Sequence, residues 1–184
     1  ESGIILEGLR QAHSAGIPSF FDPGPGNPQI DNTWHTTAAS LATVLLATED
    51  EARRLSGEAD PVNSARILLA RGSRLVVIKR GMAGCFLLTE SDLHIAPGLP
   101  VVALDATGAG DSLAAAVIYG YLNHFNLQTL GDLGNATGAA KVLKLGTGHN
   151  MPTVAEVNAM LRRFGSQVKL ADSSPAPERT HSNW

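Results

Sequence analysis

One cysteine, Cys85, is all that the 184 residues contain. An internal disulfide and a cysteine-rich zinc site are therefore excluded, and a reducing compartment is compatible. Charge is sparse: 17% of residues are charged against 43% hydrophobic, the reverse of the balance that keeps a chain disordered. No sign of charge dominates either. A net charge of -3 and a pI near 6.1 argue against a nucleic-acid binder held by phosphate contacts. Long apolar runs are missing. The longest, residues 113–122, is about half of the roughly 20 residues that cross a bilayer. No leader is recognisable. The chain opens at Glu1 rather than Met, so a processed product or a fragment is expected.

Several nucleotide and catalytic signatures are absent as well. There is no Walker loop, no Gly-x-Gly-x-x-Gly after a strand, no His-Glu-x-x-His and no Gly-x-Ser-x-Gly elbow. His13, His35, His94, His124, His149 and His181 are scattered, and most are expected at the surface.

What is present alternates. Residues 4–14 carry Ile5, Leu6, Leu9 and Ala12 near helical spacing, and Gly16 ends the segment. Residues 17–21 read as a buried strand. Asp22-Pro23-Gly24-Pro25-Gly26-Asn27-Pro28 reads as a loop, because proline and glycine permit neither helix nor ladder. A strand over 42–47, a helix over 49–55 ended by Gly57, a helix over 61–71 closed by Gly72 and a strand over 75–78 follow. Strands over 84–89 and 93–96 flank Glu90-Ser91-Asp92, a hairpin signal. Helices are predicted over 109–125, 129–143 and 154–164, the first apolar almost all round and so expected to be deeply buried. The polar stretch from 166 to 184 reads as a disordered tail. Alternating strands and helices predict a mostly parallel α/β sheet.

The sharpest local feature is Asp105-Ala106-Thr107-Gly108-Ala109-Gly110-Asp111-Ser112, leading straight into a helix. Glycines let the backbone approach a ligand, and the amides of Gly108 to Asp111 would sit at a helix N-terminus, a ready site for a phosphate. Asp111 is out of place in a pure phosphate site. It is explained either as a general base beside a phosphoryl group in transfer or as an N-terminal residue favoured by the helix dipole.

These residues resemble the signature of the ribokinase-like, or PfkB, carbohydrate kinases. Phe21-Asp22-Pro23, Thr48-Glu49-Asp50-Glu51-Ala52, Val77-Ile78-Lys79-Arg80-Gly81-Met82-Ala83-Gly84 and Asn135-Ala136-Thr137-Gly138-Ala139-Ala140, with Gly146 and Pro152, resemble further segments in the family's order. The likeness runs over residues 4–164. It implies the C-terminal part of a three-layer α/β/α kinase, residues 1–165, which transfers the γ-phosphate of ATP to a sugar hydroxyl. Asp111 would be the base, and Gly108, Ala109 and Gly110 the anion hole. Lys79, Gly81, Gly84 and Asn135 would lie on the nucleotide side. Glu51 would act through Mg2+, while Asp105 and Thr107 would help hold a monovalent cation such as K+. Residue by residue, plainer roles compete: a solvated charge for Glu51, a turn cap for Asp105, turn glycines for Gly81 and Gly84, an ordinary helix residue for Asn135. Thr48 departs from the family's asparagine, replacing an amide with one hydroxyl. The alternatives are a nucleoside or vitamin kinase on the same scaffold, or a kinase-like structural partner that has lost catalysis. Nothing matches the family's acceptor-binding first half, so these residues alone are expected to be a poor enzyme. The expected partners are a sugar and ATP, without nucleic acid or membrane; a homodimer is left open. The cytoplasm is the expected compartment, with an organelle left open.

Overall fold

The computed structural model describes residues 2–25 and 32–171. Its elements run α1 (Ser2–Ser14), β1 (Phe20–Phe21), α2 (Asn32–Leu41), β2 (Val44–Thr48), α3 (Glu49–Ser56), α4 (Pro61–Ala70), β3 (Leu75–Lys79), β4 (Gly84–Leu88), β5 (Leu93–Pro97), α5 (Ala109–Leu122), α6 (Leu127–Val142) and α7 (Val154–Arg163). The strands form one sheet in the order β1-β2-β3-β4-β5. β1, β2 and β3 pair in parallel, whereas β4 pairs antiparallel with both β3 and β5. The sheet is therefore mixed, with β4 alone running against the other four.

Two-residue periodicity decides the layers. Leu45, Ala47, Val76, Ile78, Phe86 and Leu88 point to the face covered by α1 to α4. Val44, Leu46, Leu75, Val77, Cys85 and Leu87 point to the face covered by α5 and α6. α7 packs outside on α6, around Leu133, Val157 and Leu161. This is the three-layer α/β/α arrangement. Each fully buried Leu or Ile contributes about 2 kcal/mol through apolar area removed from water.

Four departures have physical causes. The strand expected over 17–21 shrinks to Phe20–Phe21. Pro18 offers no N–H, and the Ser19 amide donates to the Thr43 side chain, Oγ1 at 3.0 Å, rather than to a ladder carbonyl of β2. α2 carried no helical expectation. Its threonines are weak helix formers, and its stability comes from burying Ala38 and Ala39 and setting Trp34 edge-on to Phe21. α5 is not buried all round: Tyr119 and Leu122 are 45% and 53% exposed, because the helix lays one face on the sheet and the next on α6. His35, expected at the surface with most histidines, is buried against Trp34.

The end of the chain also begins ordered. Val168 and Leu170 pack on the α6–α7 layer, and Asn158 exchanges two hydrogen bonds with the backbone of Leu170. The remainder of the expected tail, 172–184, lies outside the described residues, as do Gly26, Asn27, Pro28 and His181. Among the described residues no helix is long and apolar enough to cross a membrane.

Candidate active site

The C-terminal ends of β1, β2 and β3 open on one edge of the sheet, the edge where ligands of open α/β sheets bind. Asp22 follows β1, Thr48 ends β2 and Lys79 ends β3. Lys79 reaches across β2 to place its Nζ 2.5 Å from Asp22 Oδ2. Arg80 pairs with Glu49 at 2.8 Å, and the guanidinium of Arg54 donates to the carbonyls of Gly24 and Pro25. The loop after β1 is thereby tied to α3.

Above this edge stands the first turn of α5. Gly108 is its N-cap with φ +77°, and no side chain caps the helix. α3, α4, α6 and α7 are each capped by a side chain, from Thr48, Asp60, Asn126 and Thr153. At α5 the N–H of Ala109 is taken by Ala106 O at 3.1 Å. The N–H groups of Gly108, Gly110 and Asp111 donate to no group among the described residues. They leave an electropositive helix end. Lys79 Nζ lies 3.8 Å from where a Cβ on Gly110 would stand, so the ammonium that pairs with Asp22 faces the same turn. The Asp111 carboxylate is exposed and makes no hydrogen bond or ion pair among the described residues. An exposed acid beside spare amides and an ammonium can accept a proton while its neighbours hold an anion.

The other expected site residues sort into three groups. Glu51 is 7% exposed, not a solvated charge. Its Oε2 accepts from Thr48 N at 2.8 Å while Thr48 Oγ1 accepts from Glu51 N at 3.3 Å, a reciprocal capping box. Thr48 thus performs a cap that asparagine would perform equally well. We expect Thr48→Asn to leave thermal stability nearly unchanged and Thr48→Ala to cost about 1 kcal/mol, a fall in Tm of about 3 °C by scanning calorimetry. Glu51 Oε1 has no hydrogen bond among the described residues. That free oxygen fits a magnesium-bound water, although among the described residues no three His, Cys, Asp or Glu side chains gather as a metal site.

Gly84 and Asn135 meet at the end of β5. A Cβ on Gly84 would stand 2.2 Å from Ala96 O. Asn135 spends its amide on Ala96 O and Pro97 O, at 3.0 and 2.9 Å, which ties α6 to β5 and leaves only its carbonyl for a ligand. Gly81 opens the short turn before β4 with φ +55°.

The third group joins two loops. Asp105 Oδ1 accepts from Thr107 N at 2.9 Å and Thr107 Oγ1 at 2.7 Å, and Oδ2 accepts from Gly146 N at 2.7 Å. These three donors, with Lys141 nearby, lower the Asp105 pKa to about 2. Sequence reasoning gave no role to Asp22 or Lys141. Asp22 was visible only as a strand-ending acid, and nothing in the composition of α6 marked Lys141 as buried. Cys85 is a small core residue: burial, then Asp132, push its thiol up to about 12, so it is no nucleophile.

The layered sheet and the open helix end at its carboxyl edge define a ribokinase-like α/β protein. Residues 5–154 match the pfkB family carbohydrate kinase, and the chain belongs to that family. It is 34% identical to mouse ribokinase over 157 residues, covering 80% of this chain and 47% of that one. A nucleoside kinase of Burkholderia thailandensis in complex with inosine superposes with a TM-score of 0.75 at 26% identity, over 89% of this chain and 54% of that one. An aminoimidazole riboside kinase from Salmonella enterica, complexed with aminoimidazole riboside and an ATP analog, gives 0.72 at 26%, over 85% and 56%. The chain spans about half the length of the relatives it matches.

Proposed function

We propose that this chain is the phosphoryl-transfer part of an ATP-dependent sugar kinase. The observation that carries this reading is the uncapped first turn of α5 with the exposed Asp111 carboxylate inside it. Asp111 takes the proton of an acceptor hydroxyl, the freed oxygen bonds to the γ-phosphorus, and the bond from that phosphorus to the β–γ bridging oxygen breaks, releasing ADP. The spare amides of Gly108, Gly110 and Asp111 carry the charge of the phosphoryl group in flight, a stabilisation that is usually the largest catalytic contribution. Ala109 shapes the turn, since its own N–H is spent on Ala106. Lys79, held in place by Asp22, stands at the phosphate end of the nucleotide rather than the adenosine end. Gly81, Gly84 and Asn135 border the adenosine side, with Gly84 and Asn135 acting by fixing the β5 end. Magnesium, when bound with ATP, neutralises phosphate charge, and Glu51 Oε1 would hold one of its waters. Residues 1–165 carry this machinery and 166–184 form the tail, of which Ser166, Val168 and Leu170 pack on α6 and α7. The acceptor-binding contacts come from outside these residues, so the chain by itself phosphorylates poorly.

A second reading, a nucleoside kinase, is favoured by the inosine and aminoimidazole riboside complexes of two structural relatives. The test is ADP release by the full-length protein with ATP, magnesium and a panel of sugars, nucleosides and vitamins. A sugar is expected as the preferred acceptor. Turnover with nucleosides alone moves the assignment to the second reading, and ATP binding with no acceptor phosphorylated removes both.

A further inference from the structure

Among the described residues Lys141 is the only lysine or arginine with no solvent exposure. A buried ammonium is costly unless something of opposite polarity faces it. Its one hydrogen bond goes to Lys144 O at 3.2 Å, the main chain where α6 gives way to the loop of residues 144–151. Its Cε lies 3.5 Å from where a Cβ on Gly108 would stand, on the other side of the same space. Thr147 Cγ2 and Met151 Sδ border that position too, at 3.0 and 3.8 Å. Asp105 spans the two segments from outside through Gly146 N. Lys141 therefore stands between the turn that opens α5 and the loop after α6.

That is where a family member would hold a monovalent cation with Asp105, Thr107 and loop carbonyls. The residues here do not fit a potassium ion. The carbonyl of Lys144 already receives an N–H, both Asp105 oxygens receive donors, and a second positive charge beside a buried ammonium is repelled. We infer that the Lys141 ammonium replaces that cation: it ties the loop of residues 144–151 to the α5 entry turn and supplies the positive charge facing Asp105, so that the site works without added potassium. The activity half of this inference rests on the kinase reading above; the stability half does not.

The experiment exchanges potassium for choline at constant ionic strength with the full-length protein. Thermal unfolding, affinity for a non-hydrolysed ATP analogue and turnover are recorded. The wild type is expected to show no potassium-specific shift in Tm and less than about a twofold change in affinity or turnover. Lys141→Ala, which empties the space, is expected to gain a potassium-specific response of about fivefold or more in turnover and a raised Tm in potassium. Lys141→Met keeps the bulk and loses the charge, and turnover is expected to fall about fivefold or more in either salt. Potassium activation or stabilisation of the wild type overturns the inference, as does wild-type turnover by Lys141→Met. If Lys141→Ala does not fold, the wild-type and Met comparisons decide. If no acceptor is phosphorylated in either salt, the kinase reading fails, while the wild-type Tm comparison still judges the cation.

Discussion

Asp111→Asn in the full-length protein should lower kcat about 10²-fold or more, with KM for ATP little changed. Asparagine keeps the size of the side chain and its place in the first turn of α5, but it cannot take up a proton at neutral pH. Among the described residues the Asp111 carboxylate has no hydrogen-bond or ion-pair partner, so its loss breaks no such contact. Stability should even hold steady, apart from a few tenths of a kcal/mol of favourable interaction with the helix dipole. This separates the two explanations of Asp111. A residue kept only for the helix dipole predicts full turnover with a small change in Tm; a base predicts lost turnover with Tm equally little changed. The measurement is steady-state ADP release paired with scanning calorimetry, and unchanged kcat removes the base assignment.

The largest effect on stability is expected at Gly84, not at the α5 turn. Its backbone has φ +90° and ψ -134°, a conformation that side chains other than hydrogen avoid. The room is closed as well. A Cβ would lie 2.2 Å from Ala96 O, 2.5 Å from Gly98 N and 2.7 Å from Pro97 C, all main chain. No rotamer change relieves those contacts; β4 and β5 must separate. Gly84→Ala should cost about 3 kcal/mol or more, lowering Tm by about 10 °C. Because β5 also anchors Asn135, ATP affinity should fall with the fold. A Tm within about 2 °C of wild type would show that the two strands yield more easily than their packing implies.

Most of the framework was legible because it is local. The left-handed Gly57 stops α3 where expected, a signal carried by a single residue. The alternation of Leu45, Leu46 and Ala47 between two faces can be read along a single strand. α2 escaped because its helicity is imposed by burial of Ala38 and Ala39 rather than by its own threonines. The all-round apolar character of α5 misled because composition reports what can be buried, whereas neighbours decide what is.

The candidate site divides along the same line. The glycine turn from Asp105 to Asp111 could be recognised because the phosphate chemistry of a helix end depends on consecutive residues. Which amides remain free could not, since the bond from Ala109 to Ala106 appears only once the turn closes. Lys79 meets Asp22 across 57 positions, Asp105 meets Gly146 across 41, and Asn135 meets Ala96 across 39. No pattern in the chain joins such pairs.

By itself, then, the sequence determined the α/β class and the location of the phosphate-facing turn, which follow from periodicity and short-range hydrogen-bonding chemistry, and it carried the motifs whose resemblance pointed to the family. The tertiary structure alone decided that Lys79 meets Asp22, that Asn135 holds a strand, and that Lys141 lies buried between two loops. Those outcomes depend on which distant segments the sheet and helices press together, and a charge acquires its role from that enclosure rather than from its neighbours along the chain.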